Sequence, residues 1–435
     1  MSTPFDTDLA DNRPLGRGDV KTLVLAALGG ALEFYDFVIF VYFAKTIGHL
    51  FFPAGASDFV AQLQGFGLFA VAYLARPLGG IVMAHFGDRV GRKRMFTLSV
   101  FLMAIPTLLI GLLPTYASIG LLAPVLLTLF RIVQGLAIGG EIPGAWVFVA
   151  EHVPVKRVGL ACASLTSGLT AGILIGSLVA AGLTARLAPD DMLAYGWRIA
   201  FILGGIFGFF AMYLRRWLSE TPVFARMRER KELSAELPAW VALRDHRAGT
   251  VLSMLVTWLL TAAIVVDILM TPTLMQTAFK VEQARAFTGG SLAALALCFG
   301  CFFFGLLVDR IGRGLTLLFG SIGLAVATYA LYFDLHAGGA NLMWLYPLVG
   351  FSAGVTGAIP AILVGAFPPA IRFSGISLSY NIAYAICGAA TPLLVGFLAR
   401  SAGGLGPAHY VGAVSLVGVG CGLYLLLTRR RFYLG

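Results

Sequence analysis

A few ionisable residues stand inside long apolar runs, and chemistry would have to happen there. They are Arg131, Arg76, Lys45, Glu33, Asp36, Asp267 and Glu141. A charged side chain near the centre of a bilayer costs roughly 2.5–3.5 kcal/mol. Each therefore needs a partner, a wet cavity or neutralisation. Arginine stays charged in almost any setting, so Arg131 is expected to grip a substrate carboxylate or to pair with Glu33 or Asp36. Glu33 and Asp36 are three apart and share a helix face. Two carboxyls so close in a poor dielectric resist being charged together. One of them, Asp36 preferred, is expected to take up and release a proton; the alternative is pairing with Arg76 or Arg131. Asp267 is a second proton candidate, or else a partner for Lys45. Glu141 reads as gate or packing, and Arg76 as substrate contact or pairing. Gln134, Tyr35, Tyr42, Gln64, Tyr380, Asn381 and Tyr384 could complete a pocket. Tyr380 and Tyr384 share a face and Asn381 points about 100° away, although such an aromatic face is also common packing.

The elements that hold these residues follow from composition. The 435 residues are 59% hydrophobic and 12% charged, with a mean hydropathy of +0.88. That is an all-α polytopic membrane protein. Twelve apolar segments are expected near 22–48, 62–84, 95–113, 121–148, 159–186, 197–217, 249–275, 288–308, 315–333, 341–366, 373–399 and 409–428. No cleavable signal is expected, because Asp6, Asp8, Asp11 and Arg13 precede a first run too long for a signal core. The net charge of +10 does not imply nucleic acid: 23 of the 31 Lys and Arg fall in alternate loops and at the two ends. This bias puts both termini in the cytoplasm. Cys162, Cys298, Cys301, Cys387 and Cys421 read as small core residues. No metal-ligand spacing, nucleophile–base set or phosphate-cradling loop rises above chance, so no cofactor, no metal and no enzyme are expected.

One polar stretch, Gly87-Asp88-Arg89-Val90-Gly91-Arg92-Lys93-Arg94, interrupts the apolar pattern, and a second copy, Gly305 to Arg313, follows 221 positions later. The duplication predicts two six-helix halves related by an axis along the membrane normal. The expected units are 1–217, a charged linker at 218–248, and 249–435. Gly168, Gly172 and Gly176, and Gly135 and Gly139, are spaced for close helix packing and could also form sliding surfaces. Trp197 and Trp217 are expected to be interfacial anchors.

The repeated loop resembles the signature loop of the major facilitator superfamily, G-x-x-x-D-R-x-G-R-[RK]. Ala84 replaces the first glycine of the first copy, and Gly314 the last cation of the second. Leu32–Phe37, Arg76–Gly80, Arg131–Gly135 through Glu141, Gly196–Ile199, Leu218–Phe224 and Phe367–Gly375 through Ala383 are similar to the metabolite:proton symporter branch. That branch includes carriers of citrate, 2-oxoglutarate, shikimate and proline/betaine. The resemblance implies alternating access and proton coupling. It also implies that Asp88 meets the start of the eleventh helix and that Arg92 pairs with Glu151. Arg89, Asp309, Arg310 and Arg313 would complete a gate on the inner side. The expected protein is a monomeric inner-membrane carrier importing a small organic anion, di- or tricarboxylate-like, with protons. Arg131, with Arg76 or Lys45, favours the anion. A zwitterionic osmolyte or a shikimate-like metabolite is the alternative, and the short tail after Arg429-Arg430-Arg431 counts against osmosensing. An exporter, or a sensor without turnover, are further alternatives; a sensor would need a signalling domain that linker and tail leave no room for.

Overall fold

The computed structural model describes residues 14–53, 58–230, 237–401 and 403–428. Within these, the side chains at 33, 37, 45, 58–63, 65, 66, 69, 70, 283, 393, 400, 401 and 403 lie outside the description. The expectations for Glu33 and Lys45 therefore fall outside the described residues.

The apolar runs fold as helices because no other structure satisfies every backbone donor and acceptor within a single segment in lipid. The first half contains α1 (Arg17–Tyr42), α2 (Asp58–Val90), α3 (Arg92–Leu112), α4 (Leu122–His152), α5 (Val158–Arg186) and α6 (Trp197–Arg215). The second half begins with α7, whose Arg247–Ala262 helix continues through widened π-type turns at Ala263–Met270 into Thr271–Thr277. Then come α8 (Gln283–Ile311) and α9 (Arg313–His336). In α10, Leu342–Ala353 tightens at Gly354–Gly357 before Ile359–Gly365. The chain closes with α11 (Arg372–Ser401) and α12 (Gly406–Leu427). Among the described residues, eleven segments are long and apolar enough to cross a membrane. The 33-residue α2, part of whose side chains are not described, is the twelfth span.

Both copies of the charged loop turn on one glycine. Gly91 has φ +133° and Gly312, 221 positions later, φ +87°. L side chains seldom adopt that backbone region, so a glycine stands at both corners.

Glycines also set the closest packing within the first half. A Cβ at Gly135 or Gly139 would overlap the backbone oxygen of Ala72 or Arg76 on α2. A Cβ at Gly168 or Gly172 would overlap Ala27 or Ala31 on α1. The glycine stripe of α5 therefore grips α1 inside one half and forms no sliding surface between halves. The halves meet instead where α5 packs on α8 and α2 on α11. Trp197 also departs from expectation: it is fully buried, edge-on to Phe51 and Phe201, whereas Trp217 is 56% exposed.

Candidate functional site

The charged loops build a clasp between the halves. Asp88, at the end of α2, accepts a hydrogen bond from the Ser374 backbone N–H at 2.9 Å. That N–H belongs to the first turn of α11, where helix donors lack internal partners and a carboxylate is favoured. Arg92 reaches Glu151 at 3.0 Å, Asp88 at 3.4 Å and the Pro369 carbonyl at 2.9 Å. Glu151 also receives Arg372 at 3.3 Å and the Thr221 hydroxyl at 2.8 Å. The side chains of Arg92 and Glu151 are each 1% exposed. In the second copy, Asp309 accepts from the Gly159 and Leu160 backbone N–H groups at 2.8 and 3.0 Å, at the start of α5.

Arg89 and Arg310 lie exposed beside this clasp. Arg313 lies against α10 at Gly365. Arg372, Thr221 and Glu220, which accepts from the Lys93 N–H at 3.2 Å, are missing from the sequence-based gate. All three stand in stretches that carry the family resemblance, so the signal existed but assigned them no role.

Deeper between the halves, Arg76 of α2 faces α11. Its guanidinium lies 4.3 Å from the Tyr384 ring centroid, 5.3 Å from Tyr73 and 5.4 Å from Tyr380. Tyr73 and Tyr384 stack at 5.4 Å and 9°. Arg76 Nε makes a long contact to Asn381 Oδ1 at 3.4 Å. Its Nη2 is buried and has no hydrogen-bond partner among the described residues. Asn381 Nδ2 donates to the Gly139 carbonyl at 2.6 Å, tying α11 to α4. Arg76, Tyr380, Asn381 and Tyr384 thus converge, and Tyr73, three residues before Arg76 and absent from the expected pocket, belongs with them.

Arg131 is fully buried, 4.1 Å over the Phe40 ring. Its Nη1 donates to Gln134 at 2.8 Å, and Gln134 donates to the Thr107 hydroxyl at 2.7 Å. Asp36 lies beside Thr107. Neither Asp36 oxygen has a hydrogen-bond partner among the described residues; the Thr107 hydroxyl donates to the Met103 carbonyl at 2.9 Å. Asp36 therefore makes no direct pair with Arg76 or Arg131. It fills the space left by glycines on α6, where a Cβ at Gly204 would overlap its carboxylate. Tyr35 does not join the Arg76 group: its hydroxyl donates to the Ala200 carbonyl of α6 at 2.9 Å. Glu141 pairs with Arg215 at 2.8 Å inside the first half and does not contribute to the clasp.

The second half also buries a carboxyl beside a threonine, but here the two are hydrogen-bonded, and Asp267 follows Asp36 by 231 positions, ten more than the loop offset. Asp267, buried in the widened turns of α7, accepts from the Thr328 hydroxyl of α9 at 3.3 Å. Thr107 and Thr328 are 221 positions apart, the offset of the charged loops. Each half therefore buries one carboxyl of its first helix beside a threonine of its third.

Comparison with known proteins gives the family and the fold. The Major Facilitator Superfamily profile matches residues 26–392. The proline/betaine transporter of Salmonella typhimurium is 31% identical over 439 residues, covering 96% of this chain and 87% of that one. The glycine betaine/proline/ectoine/pipecolic acid transporter OusA of Dickeya dadantii is 32% identical over 423 residues, covering 94% and 84%. Among solved structures, the proton:xylose symporter XylE bound to 6-bromo-6-deoxy-D-glucose superposes with a TM-score of 0.78 at 16% identity, covering 94% and 95%. XylE from E. coli in a partially occluded inward-open conformation gives 0.70. Both of these relatives are transporters. With a profile match across most of its length and the duplicated clasp in place, the chain belongs to the Major Facilitator Superfamily.

Proposed function

We propose that the chain imports a zwitterionic osmolyte of the proline/betaine type with protons, by alternating access. It would act as a monomer of the bacterial inner membrane with both termini in the cytoplasm. The names of its relatives support this class; the di- or tricarboxylate expected from charge counting finds no such support. The observation that carries the reading is Arg76, a buried guanidinium between the halves with one donor unused among the described residues and three tyrosine rings around it. A substrate carboxylate fits the free donor. A quaternary or secondary ammonium fits the faces of aromatic rings, so one cluster can address both ends of a zwitterion. In the closed clasp Arg76 itself fills the tyrosine faces, and the substrate would displace it. Arg131 and Gln134 hold the neighbouring wall.

Asp36 is the preferred proton site in this reading. A protonated carboxyl needs no counter-ion in a dry setting. To lose the proton, it needs water or Arg131, one threonine and one glutamine away. Asp267 is the candidate of the second half. Glu33, its side chain undescribed, remains the alternative in the first.

Uptake of labelled proline and glycine betaine into proteoliposomes under an imposed proton gradient tests the proposal. Competition by proline and betaine but not by citrate or succinate is expected, as is loss of uptake in Arg76→Gln. Transport of citrate in preference to betaine would overturn it.

A further inference from the structure

The linker helix Pro238–Asp245 has two unlike sides. Pro238, Ala239 and Ala242 are buried, and the helix packs on α11 and the Pro369–Ile371 turn that receives Arg92. Leu237, Trp240 and Leu243 are 49%, 56% and 41% exposed. Their three-residue spacing sets them on one side. An outward tryptophan and two leucines on a short charged helix have the composition of a segment lying in a membrane interface.

The charges beside it are unevenly used. Arg244 donates twice to Asp245, at 2.9 Å each, and these bonds hold the Asp245 carboxyl below its usual range. Arg247, which opens α7, is exposed and forms no salt bridge among the described residues. From Arg247 a groove of about 620 Å³ runs between α7 and α12, walled by Val251, Leu255, Val417, Gly420 and Tyr424. Apart from Arg247 at its rim and the Tyr424 ring, its named walls are apolar. It is open at Gly420, where a Cβ would meet nothing within 4 Å. Val251 on one wall is 53% exposed, so the groove faces the surrounding lipid.

We infer that this groove binds one anionic phospholipid from the leaflet on the basic side, with an acyl chain between α7 and α12 and its phosphate on Arg247. An apolar slot ending at an exposed cation that makes no salt bridge among the described residues, the neighbouring Asp245 being held twice by Arg244, matches that molecule. A zwitterionic lipid fits the slot but gains less from the cation. The adjoining interfacial helix holds the rim at headgroup depth, where each Lys or Arg contributes about 1 kcal/mol toward anionic lipid.

Native mass spectrometry of the purified full chain, titrated with phosphatidylglycerol and with phosphatidylcholine of the same acyl chains, provides the test. The wild type should retain phosphatidylglycerol preferentially. Arg247→Gln should lower that retention about fivefold and leave phosphatidylcholine unchanged. Gly420→Leu, whose side chain enters open space, should lower retention of both lipids while thermal unfolding in detergent stays unchanged. Equal retention of the two lipids by the wild type would reduce the groove to ordinary annular contact and overturn the assignment. So would phosphatidylglycerol retention that neither variant lowers.

Discussion

Replacing Glu151 with glutamine should open the clasp on the basic side. Glu151 takes Arg92 at 3.0 Å and, from the other half, Arg372 at 3.3 Å. All three residues are buried. Removing one member of a buried ion set costs roughly 3–5 kcal/mol, because the remaining charges stay dry and uncompensated. Glutamine keeps one acceptor oxygen, and Arg92 keeps Asp88 at 3.4 Å and the Pro369 carbonyl at 2.9 Å. The lower figure, about 3 kcal/mol, is therefore the one to use. The penalty applies where the halves touch; when they part, Arg372 reaches water and the cost largely disappears. A differential of about 3 kcal/mol shifts the balance between closed and open by roughly 150-fold. Spin labels on the basic ends of α5 and α8 would read the shift as a longer inter-half distance. Glu141→Gln is the control, since it breaks the Arg215 pair inside one half. It should lower thermal stability without moving the labels. Unchanged distances in Glu151→Gln, or equal shifts in both variants, would refute the argument.

Three other substitutions have expected outcomes. Asp36→Asn should abolish gradient-driven uptake yet preserve counterflow exchange, and Thr107→Val should weaken both by cutting the path from Gln134; gradient-driven uptake at the wild-type level in Asp36→Asn would remove Asp36 from the proton role. Gly135→Ala should force α4 off the Ala72 carbonyl, costing about 1–3 kcal/mol of overpacking, visible as a lower unfolding temperature in detergent and absent from Gly323→Ala, where a Cβ meets nothing.

The membrane helices were legible because a spanning segment must be long and apolar, and the halves were legible because the loop with Asp88 recurs with Asp309. The partners of single charges were harder to read. Helical spacing puts Glu33 and Asp36 on one face but does not say which neighbour that face meets; for Asp36 it is α6, through the room left by Gly204. Arg215, the partner of Glu141, lies 74 positions away, and no local pattern links them. The anionic substrate followed from counting intramembrane charges as though all faced one cavity. Those charges were Arg131, Arg76 and Lys45 against Glu33, Asp36 and Asp267; Arg76 stands between the halves, whereas Asp36 is shut against α6 inside the first half, so the balance does not belong to one site. The tyrosine faces around Arg76 required Tyr73 on α2 and Tyr384 on α11 to meet, a contact between helices far apart in sequence.

Asp88 of the first half secures the start of a second-half helix, and Asp309 of the second secures the start of a first-half helix. Each half thus carries one hook and one eye. Two identical six-helix chains, facing each other about a twofold axis, would engage both fasteners at once, since an isologous interface uses every contact twice. Fusing such a pair into one polypeptide frees the two fasteners to diverge, and here they have: one is reinforced by Arg92, Glu151 and Arg372, while the other rests chiefly on a carboxylate and two backbone N–H groups.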